Sequence, residues 1–179
     1  MRRRDRFDRI RMLPNYYFIV SGAALSPVSP LNAFDEALKV AGIHNTNLVE
    51  VSSILPRGAI RLELTREEVV SFFEPGEIVF SVEACGRGGG GEYVSAGLMW
   101  GEGLETNGFV VEHSSSTPSS GGGLASEELE KRMIEGLRSR FREGTRIRDI
   151  GTGEPEFKTA GIFVPKGMYG CALTFLILC

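Results

Sequence analysis

The sequence predicts an α+β fold in which two mainly antiparallel sheets pack together and helices cover them. Six or seven runs of β-branched, aliphatic and aromatic residues predict strands, and two segments with apolar residues at helical spacing predict the main helices. Adjacent strands are joined by short turns, which favours antiparallel neighbours. With 179 residues, 42% hydrophobic and 24% charged, the chain is expected to form one domain over residues 1–179.

The predicted strands follow one another closely along the chain. Their segments are residues 15–21, 48–54, 77–84, 92–100, 109–112, 157–164 and 168–178. We expect 77–84 to pair with 92–100, and 157–164 to form a closing hairpin with 168–178. The apolar run within 168–178 predicts a place inside a sheet. Residues 86–91 satisfy the GxGxxG pattern, but a strand follows them where a dinucleotide-binding fold needs a helix, so we expect a flexible hairpin loop.

Capping residues mark the starts of three predicted helices. Asn32 is expected to cap a helix over residues 32–40, which Gly42 ends. Thr65 begins a capping box ahead of one or two helical turns. Ser126 is expected to cap the longest helix. The apolar stripe of that helix, at i+4 spacing, is Leu129, Met133, Leu137 and Phe141.

Three stretches of small or charged residues are expected to lie outside regular elements. Residues 1–12 hold six arginines and predict a basic arm that is solvated or contacts another subunit. Small residues and prolines predict a loop at 22–30. The Ser/Gly-rich stretch 114–123 predicts a flexible linker.

Composition argues against several classes of function. A net charge of −3 argues against a general nucleic-acid binder, because neutralising phosphates requires a basic surface. No stretch has the length of a membrane span, and the N-terminus lacks the apolar region of a signal peptide, so we expect a cytoplasmic protein that binds no membrane. Three cysteines without CxxC spacing, with two histidines, argue against a zinc site and favour reduced thiols.

Four motifs in the first third of the chain carry a family resemblance. They are Pro-Leu-Asn-Ala-Phe-Asp at 30–35, Ala-Gly-Ile at 41–43, Asn-Thr-Asn-Leu at 45–48 and Val-Ser-Ser-Ile-Leu-Pro at 51–56. With these motifs the chain resembles the pyruvoyl-dependent arginine decarboxylases, closely over residues 17–56 and loosely elsewhere. The resemblance implies a four-layer αββα sandwich that assembles as a homotrimer.

The resemblance also implies that the chain cleaves itself between Ser52 and Ser53. The Ser53 hydroxyl would attack the peptide bond, leaving residues 1–52 as a β chain and residues 53–179 as an α chain. Ser53 would become a covalent pyruvoyl group, the cofactor that forms a Schiff base with L-arginine and yields agmatine and CO2. Such a carbonyl is needed because no ordinary side chain takes up the electrons that decarboxylation releases.

Further site residues follow from the resemblance, each with a plainer alternative. Glu112 is expected to be the catalytic acid, or else an exposed carboxylate at a strand end, and Glu102 is the competing choice of acid. Asn47 is expected to polarise a carbonyl near the processing site, or else to satisfy backbone at a strand entry. Asp35, with Ser52, is expected to bind substrate through the guanidinium, although Asp35 also suits a helix N-terminus.

One function from another class stays open at this stage. The chain is alternatively a non-catalytic trimeric relative, kept for assembly or regulation, that never cleaves itself. Ser52, Ser53, Asn47 and Asp35 are all present, and a scaffold has no need of them.

Overall fold

The structure is a computed structural model that describes residues 12–118 and 126–179. Its helices are α1 (Pro30–Ala41), α2 (Arg66–Phe72) and α3 (Ser126–Arg148). Its strands are β1 (Tyr16–Ser26), β2 (Asn47–Glu50), β3 (Ile54–Leu55), β4 (Ile60–Arg61), β5 (Ile78–Gly89), β6 (Glu92–Gly101), β7 (Gly108–Pro118), β8 (Glu156–Phe163) and β9 (Tyr169–Leu178). Residues 1–11 of the arginine-rich arm and 119–123 of the expected linker lie outside the described residues.

The strands form two sheets, which confirms the prediction of a mixed α+β fold. The first sheet has the order β2-β5-β9-β1-β4, and the second has the order β3-β7-β6-β8. All neighbours in the second sheet are antiparallel, whereas β2–β5 and β1–β4 in the first are parallel. Strand β9 lies between β5 and β1 and is almost wholly buried, as its apolar run predicted.

Side chains from both sheets share one buried cluster, which includes Val82 and Leu176 of the first sheet and Leu98 and Val110 of the second. Helix α1 packs against β1 and β9, and α3 packs against β6 and β7. The contact between α1 and β1 is close enough that a Cβ at Gly22 would collide with the Ala37 carbonyl oxygen. The glycine at position 22 therefore allows α1 to pack directly on β1.

Two predicted loop stretches are strand instead. Strand β1 continues to Ser26, so the prediction of a loop over 22–30 was wrong for most of its length. Strand β7 continues to Pro118, so residues 114–118 are not a linker. In both places small residues suit close packing, because Gly22 lies under α1 and Ser115 bonds Ser95 of β6 at 2.9 Å.

Two predicted hairpins are connections between the sheets. Strands β5 and β6 follow each other through Gly90–Gly91, yet β5 belongs to the first sheet and β6 to the second. Strands β8 and β9 are divided between the sheets in the same way. The glycine run 86–91 is therefore strand up to Gly89 and then a turn, and no helix follows it. A short turn fits either arrangement, because the strands on both sides face the same core.

The helix boundaries confirm two of the capping predictions. Thr65 and Glu68 form the capping box of α2, and Gly42 ends α1 with a φ of 86°. The predicted cap Asn32 was wrong: Ser29 caps α1 and accepts the Asn32 N–H. Three members of the predicted α3 stripe are at most 5% exposed, namely Met133, Leu137 and Phe141. In the described part of the chain, no helix has both the length and the apolar character to span a bilayer.

Candidate active site

The chain passes from one sheet to the other at the predicted serine pair. The expected strand over 48–54 is in fact two strands, β2 in the first sheet and β3 in the second. Residues 51–53 between them form the crossing segment. The Val51 N–H donates to the Ser81 carbonyl at 2.8 Å, and the Val110 N–H donates to the Ser53 carbonyl at 3.0 Å. Backbone bonds to each sheet therefore hold both ends of the crossing segment.

Ser53 lies against the predicted catalytic carboxylate. Its hydroxyl donates to Glu112 Oε2 at 3.3 Å, and both side chains are half-buried. Glu112 lies on β7 opposite Leu98 of β6, and its backbone carbonyl accepts a bond from Arg140 of α3 at 3.4 Å. A carboxylate held in this position can accept the hydroxyl proton during attack by the serine oxygen.

The competing glutamate has a different partner. The Tyr17 hydroxyl donates to Glu102 Oε1 at 2.7 Å. Burial, together with this bond and the charge of Glu102, raises the pKa of Tyr17 well above its usual value. Within residues 12–118 and 126–179, no hydrogen bond joins Glu102 to Ser53. The geometry next to Ser53 therefore favours Glu112 over Glu102.

A pocket of about 360 Å³ opens beside Glu112, and we call it the carboxylate pocket. Its lining residues are Glu50, Glu83, Ala84, Cys85, Glu112, His113, Ser114 and Arg140. Burial raises the pKa of Glu83. The hydrogen bond from Ser81 partly offsets this rise, and the nearby charge of Glu50 adds to it. Burial and then the positive charge of Arg140 lower the pKa of His113, which favours its neutral form. The pocket is lined by three carboxyl side chains and one guanidinium, so its acidic groups outnumber its basic ones.

Two predicted site residues lie away from this pocket. Asn47 is exposed at the start of β2, and its amide donates to the Gly76 carbonyl at 2.7 Å. Asp35 is exposed on α1. No hydrogen bond or salt bridge in the described part of the chain joins either residue to Ser53 or Glu112. A single chain therefore brings Ser53 and Glu112 together but leaves Asn47 and Asp35 outside.

Ser52 faces a second, mainly apolar pocket of about 480 Å³. The side chain of Ser52 is exposed, in contrast to the half-buried Ser53. Residues lining this pocket include Leu13, Val51, Ser52, Ile54, Phe73, Phe80 and Leu178. The two neighbouring serines thus point to different surroundings, and among the described residues the hydroxyl of Ser53 has a carboxylate partner whereas that of Ser52 has none.

The thiols include a pair close to the carboxylate pocket. All three cysteines are free, and the sulfur atoms of Cys85 and Cys171 lie 3.6 Å apart. The thiol of Cys171 and then the guanidinium of Arg87 lower the pKa of Cys85 to about 6. No group of three or more His, Cys, Asp or Glu residues in the described ranges is arranged to hold a metal ion.

The sequence did not single out three residues of the pocket: Glu50, Glu83 and Cys85. The available signal was Glu83, a charged residue between the apolar residues Val82 and Ala84 of β5. Glu83 lines the pocket because β2 and β3 are short. Each covers only part of its neighbour, β5 or β7, and the pocket forms between the two edges that stay open. No local pattern encodes that arrangement.

Comparison with known proteins decides the family. The family model for pyruvoyl-dependent arginine decarboxylase matches residues 16–179. The chain belongs to this family. It is 38% identical to pyruvoyl-dependent arginine decarboxylase 2 of Archaeoglobus fulgidus over 106 residues, which is 58% of this chain and 66% of the relative. The resemblance found from the sequence motifs is thereby confirmed.

Other curated relatives match shorter or more divergent segments. The pyruvoyl-dependent arginine decarboxylase of Methanothermobacter thermautotrophicus is 52% identical over 61 residues, 34% of this chain and 36% of the relative. The one from Halobacterium salinarum is 26% identical over 155 residues, 87% of this chain and 88% of the relative. The matched segments therefore span less than two thirds of the length of the first two relatives and most of the length of the relative from Halobacterium salinarum.

Proposed function

We propose that this chain cleaves itself between Ser52 and Ser53 and then decarboxylates L-arginine to agmatine with a pyruvoyl group made from Ser53. The observation that carries the proposal is the 3.3 Å hydrogen bond from the Ser53 hydroxyl to Glu112, in a chain of this family. The residues present fit the cofactor, because the serine that supplies it is held at a sheet crossing beside a half-buried carboxylate.

In the proposed cleavage, the Ser53 oxygen attacks the Ser52 carbonyl carbon while Glu112 accepts the hydroxyl proton. The C–N bond then breaks, its nitrogen takes up a proton, and an ester replaces the peptide bond. Elimination frees residues 1–52 with a carboxylate end, and loss of ammonia by hydrolysis completes the ketone. A fixed backbone favours this intramolecular attack, because holding two reacting groups in place removes much of the entropic cost.

In the decarboxylation, the pyruvoyl carbonyl supplies the electron sink that the substrate needs as CO2 leaves. Glu112 is then placed to return a proton to the substrate carbon, which makes it the base of one reaction and the acid of the other. The half-buried position of Glu112 limits access of bulk water to that proton.

The two products of cleavage are expected to stay together as one folded unit. Residues 1–52 contain β1, which pairs with β9 from Tyr17 to Ser26, and β2, which pairs with β5. The buried contacts of α1 with β1 and β9 add to these ladders. Cutting one peptide bond in the crossing segment breaks none of them.

The substrate is proposed from the charge of the carboxylate pocket. Glu50 and Glu83 lie in the same pocket as Glu112, and a carboxylate binds a guanidinium with strong, charge-assisted hydrogen bonds. A bound cation would also favour the ionised form of Glu83, whose pKa is raised by burial. This pocket therefore supports an amino acid with a cationic side chain.

Replacement of Glu83 by glutamine should raise the KM for arginine about tenfold, because a charged hydrogen bond contributes roughly 1.5–3 kcal/mol. The matched control is Glu36→Gln, which removes the same charge from the exposed face of α1. Steady-state agmatine formation measures both variants after cleavage is complete. Equal KM values for Glu83→Gln and the control would remove Glu83 from substrate binding.

We further propose that the chain adopts the four-layer αββα arrangement and assembles as a homotrimer. The packing of α1 on the first sheet and α3 on the second supports the layers. Asp35 and Asn47 line neither pocket described above, and contact with substrate bound to a neighbouring copy is the role that a trimer would give them. Native mass spectrometry tests the assembly, and a monomer that forms agmatine would contradict the trimer.

The test of the proposed function is the mass of the purified protein, measured first under denaturing and then under native conditions. Two fragments, residues 1–52 and a pyruvoyl-blocked 53–179, are expected under denaturing conditions, and one αβ unit or a multiple of it under native conditions. Agmatine release from arginine by the same sample completes the test. An uncut chain without activity would favour the non-catalytic relative.

A further inference from the structure

The crossing segment contains a second backbone feature besides its two anchors. The Ile54 N–H turns back and donates to the Ser52 carbonyl at 2.8 Å. This bond closes a three-residue turn centred on Ser53. Among the described non-glycine residues only Asp149 has a positive φ, so the Ser53 turn is of the inverse type that is common at strand ends.

The accepting atom of this turn is the carbonyl oxygen that the proposed cleavage must convert to an oxyanion. When the Ser53 hydroxyl attacks, negative charge develops on the Ser52 oxygen. A backbone N–H already aimed at that oxygen stabilises the charge without any rearrangement during the reaction, and such fixed donors are among the strongest aids to acyl transfer.

We propose that the Ile54 backbone N–H is the oxyanion donor for self-cleavage of the Ser52–Ser53 bond. The inference rests on the proposed cleavage at that bond. Glu112 accepts the Ser53 hydroxyl proton on one side, and the Ile54 N–H holds the developing oxyanion on the other. The bond between the Ser52 carbonyl carbon and the Ser53 nitrogen then breaks, the nitrogen gains a proton, and the Ser52 carbonyl re-forms as an ester with the Ser53 oxygen.

The two sheets preorganise this donor. The Val110 N–H fixes the Ser53 carbonyl, which belongs to the same peptide unit as the Ile54 N–H. The Val51 N–H is bound to Ser81, so the chain on the other side of the turn is fixed as well. Both anchors therefore help to direct the Ile54 N–H toward the Ser52 oxygen, while its own bond to that oxygen needs neither of them.

The decisive variant replaces the Ile54 N–H by an ester oxygen and keeps the side chain. The α-hydroxy analogue of isoleucine is introduced at position 54 by nonsense suppression in cell-free translation. Intact mass then follows the fraction of chain cut between Ser52 and Ser53 over time. Spontaneous hydrolysis of the introduced ester gives fragments that differ by one serine, so the mass separates the two cuts. We expect cleavage to slow roughly 100-fold, as for loss of one oxyanion donor elsewhere.

The matched control is an ester at Val110, which removes the anchor on the Ser53 carbonyl but leaves the Ile54 N–H. It should slow cleavage much less than the ester at Ile54. An equal slowing in both would overturn the oxyanion role in favour of simple anchoring, and cleavage of the Ile54 ester at the unmodified rate would overturn it outright. If the unmodified chain itself stays uncut, the proposed function fails together with this inference, whereas a normal cut in the Ile54 ester removes the inference alone.

A second measurement does not require the ester variant to fold. In Ser53→Ala the bond cannot be cut, and the backbone turn should persist because alanine adopts the same φ. Hydrogen exchange of the Ile54 amide in this variant should be slow, since the N–H is bonded to Ser52. Exchange at the rate of a free amide would show that the donor is absent and would overturn the inference.

Discussion

Ser53→Ala is expected to give a single uncut chain of about 19.5 kDa that forms no agmatine. The reason is that the variant lacks the oxygen that attacks the Ser52 carbonyl, and no carbonyl cofactor then arises to take up electrons. Within the described residues the Ser53 side chain makes one hydrogen bond, to Glu112, so its loss should leave the fold and the thermal midpoint nearly unchanged. Denaturing mass spectrometry and an arginine decarboxylation assay on the same sample measure both parts.

The control for this variant is Ser71→Ala on α2. Its hydroxyl also donates a hydrogen bond, to the Glu67 carbonyl at 2.7 Å, but lies on the exposed surface. It should be cut and active like the unmodified chain. If Ser53→Ala is cut between residues 52 and 53, the attacking group lies elsewhere, and the proposed origin of the cofactor is wrong.

The parts of the fold that sequence predicted are those with local physical causes. The capping box at Thr65, the stop at Gly42 and the α3 stripe each depend on residues within a few positions of one another. Which strands pair depends instead on long-range packing. Because β5, β6, β8 and β9 all contribute to the core between the sheets, a short turn is compatible with a hairpin or with a passage to the other sheet.

The candidate site also has residues that the sequence predicted and residues whose place depends on long-range packing. Ser53 and Glu112 were identified through family motifs, and the structure places their side chains 3.3 Å apart although 59 positions separate them in the chain. Glu50 and Glu83 belong to no such motif, and they reach the pocket only because β2 ends after four residues and leaves β5 with an open edge. The crossing at Ser52–Ser53 itself was predicted as one continuous strand, since its apolar and β-branched content does not reveal a change of sheet.

Glu112→Gln is expected to slow self-cleavage roughly 100-fold or more, which is the usual contribution of a positioned general base or acid. Glutamine has nearly the same shape and still accepts the Ser53 hydrogen bond, but it does not take up the proton. The fraction of cut chain over time measures this loss. Once cut protein has accumulated, agmatine formed per cut chain measures the second role, and it should fall by a similar factor because the same group returns a proton to the substrate.

Glu102→Gln is the comparison that separates the two candidate acids. It should be cut at the normal rate, because Glu102 binds Tyr17 and not Ser53. Its own effect should appear at the tyrosine: burial still raises the pKa of Tyr17, but without the negative charge of Glu102 the phenol should ionise at a lower pH in an ultraviolet titration. A lower pKa of Tyr17 would show that the substitution removed the negative charge next to this tyrosine. Normal cleavage in Glu112→Gln with slow cleavage in Glu102→Gln would exchange the two roles and would mean that the hydrogen bond to Ser53 does not mark the reacting carboxylate.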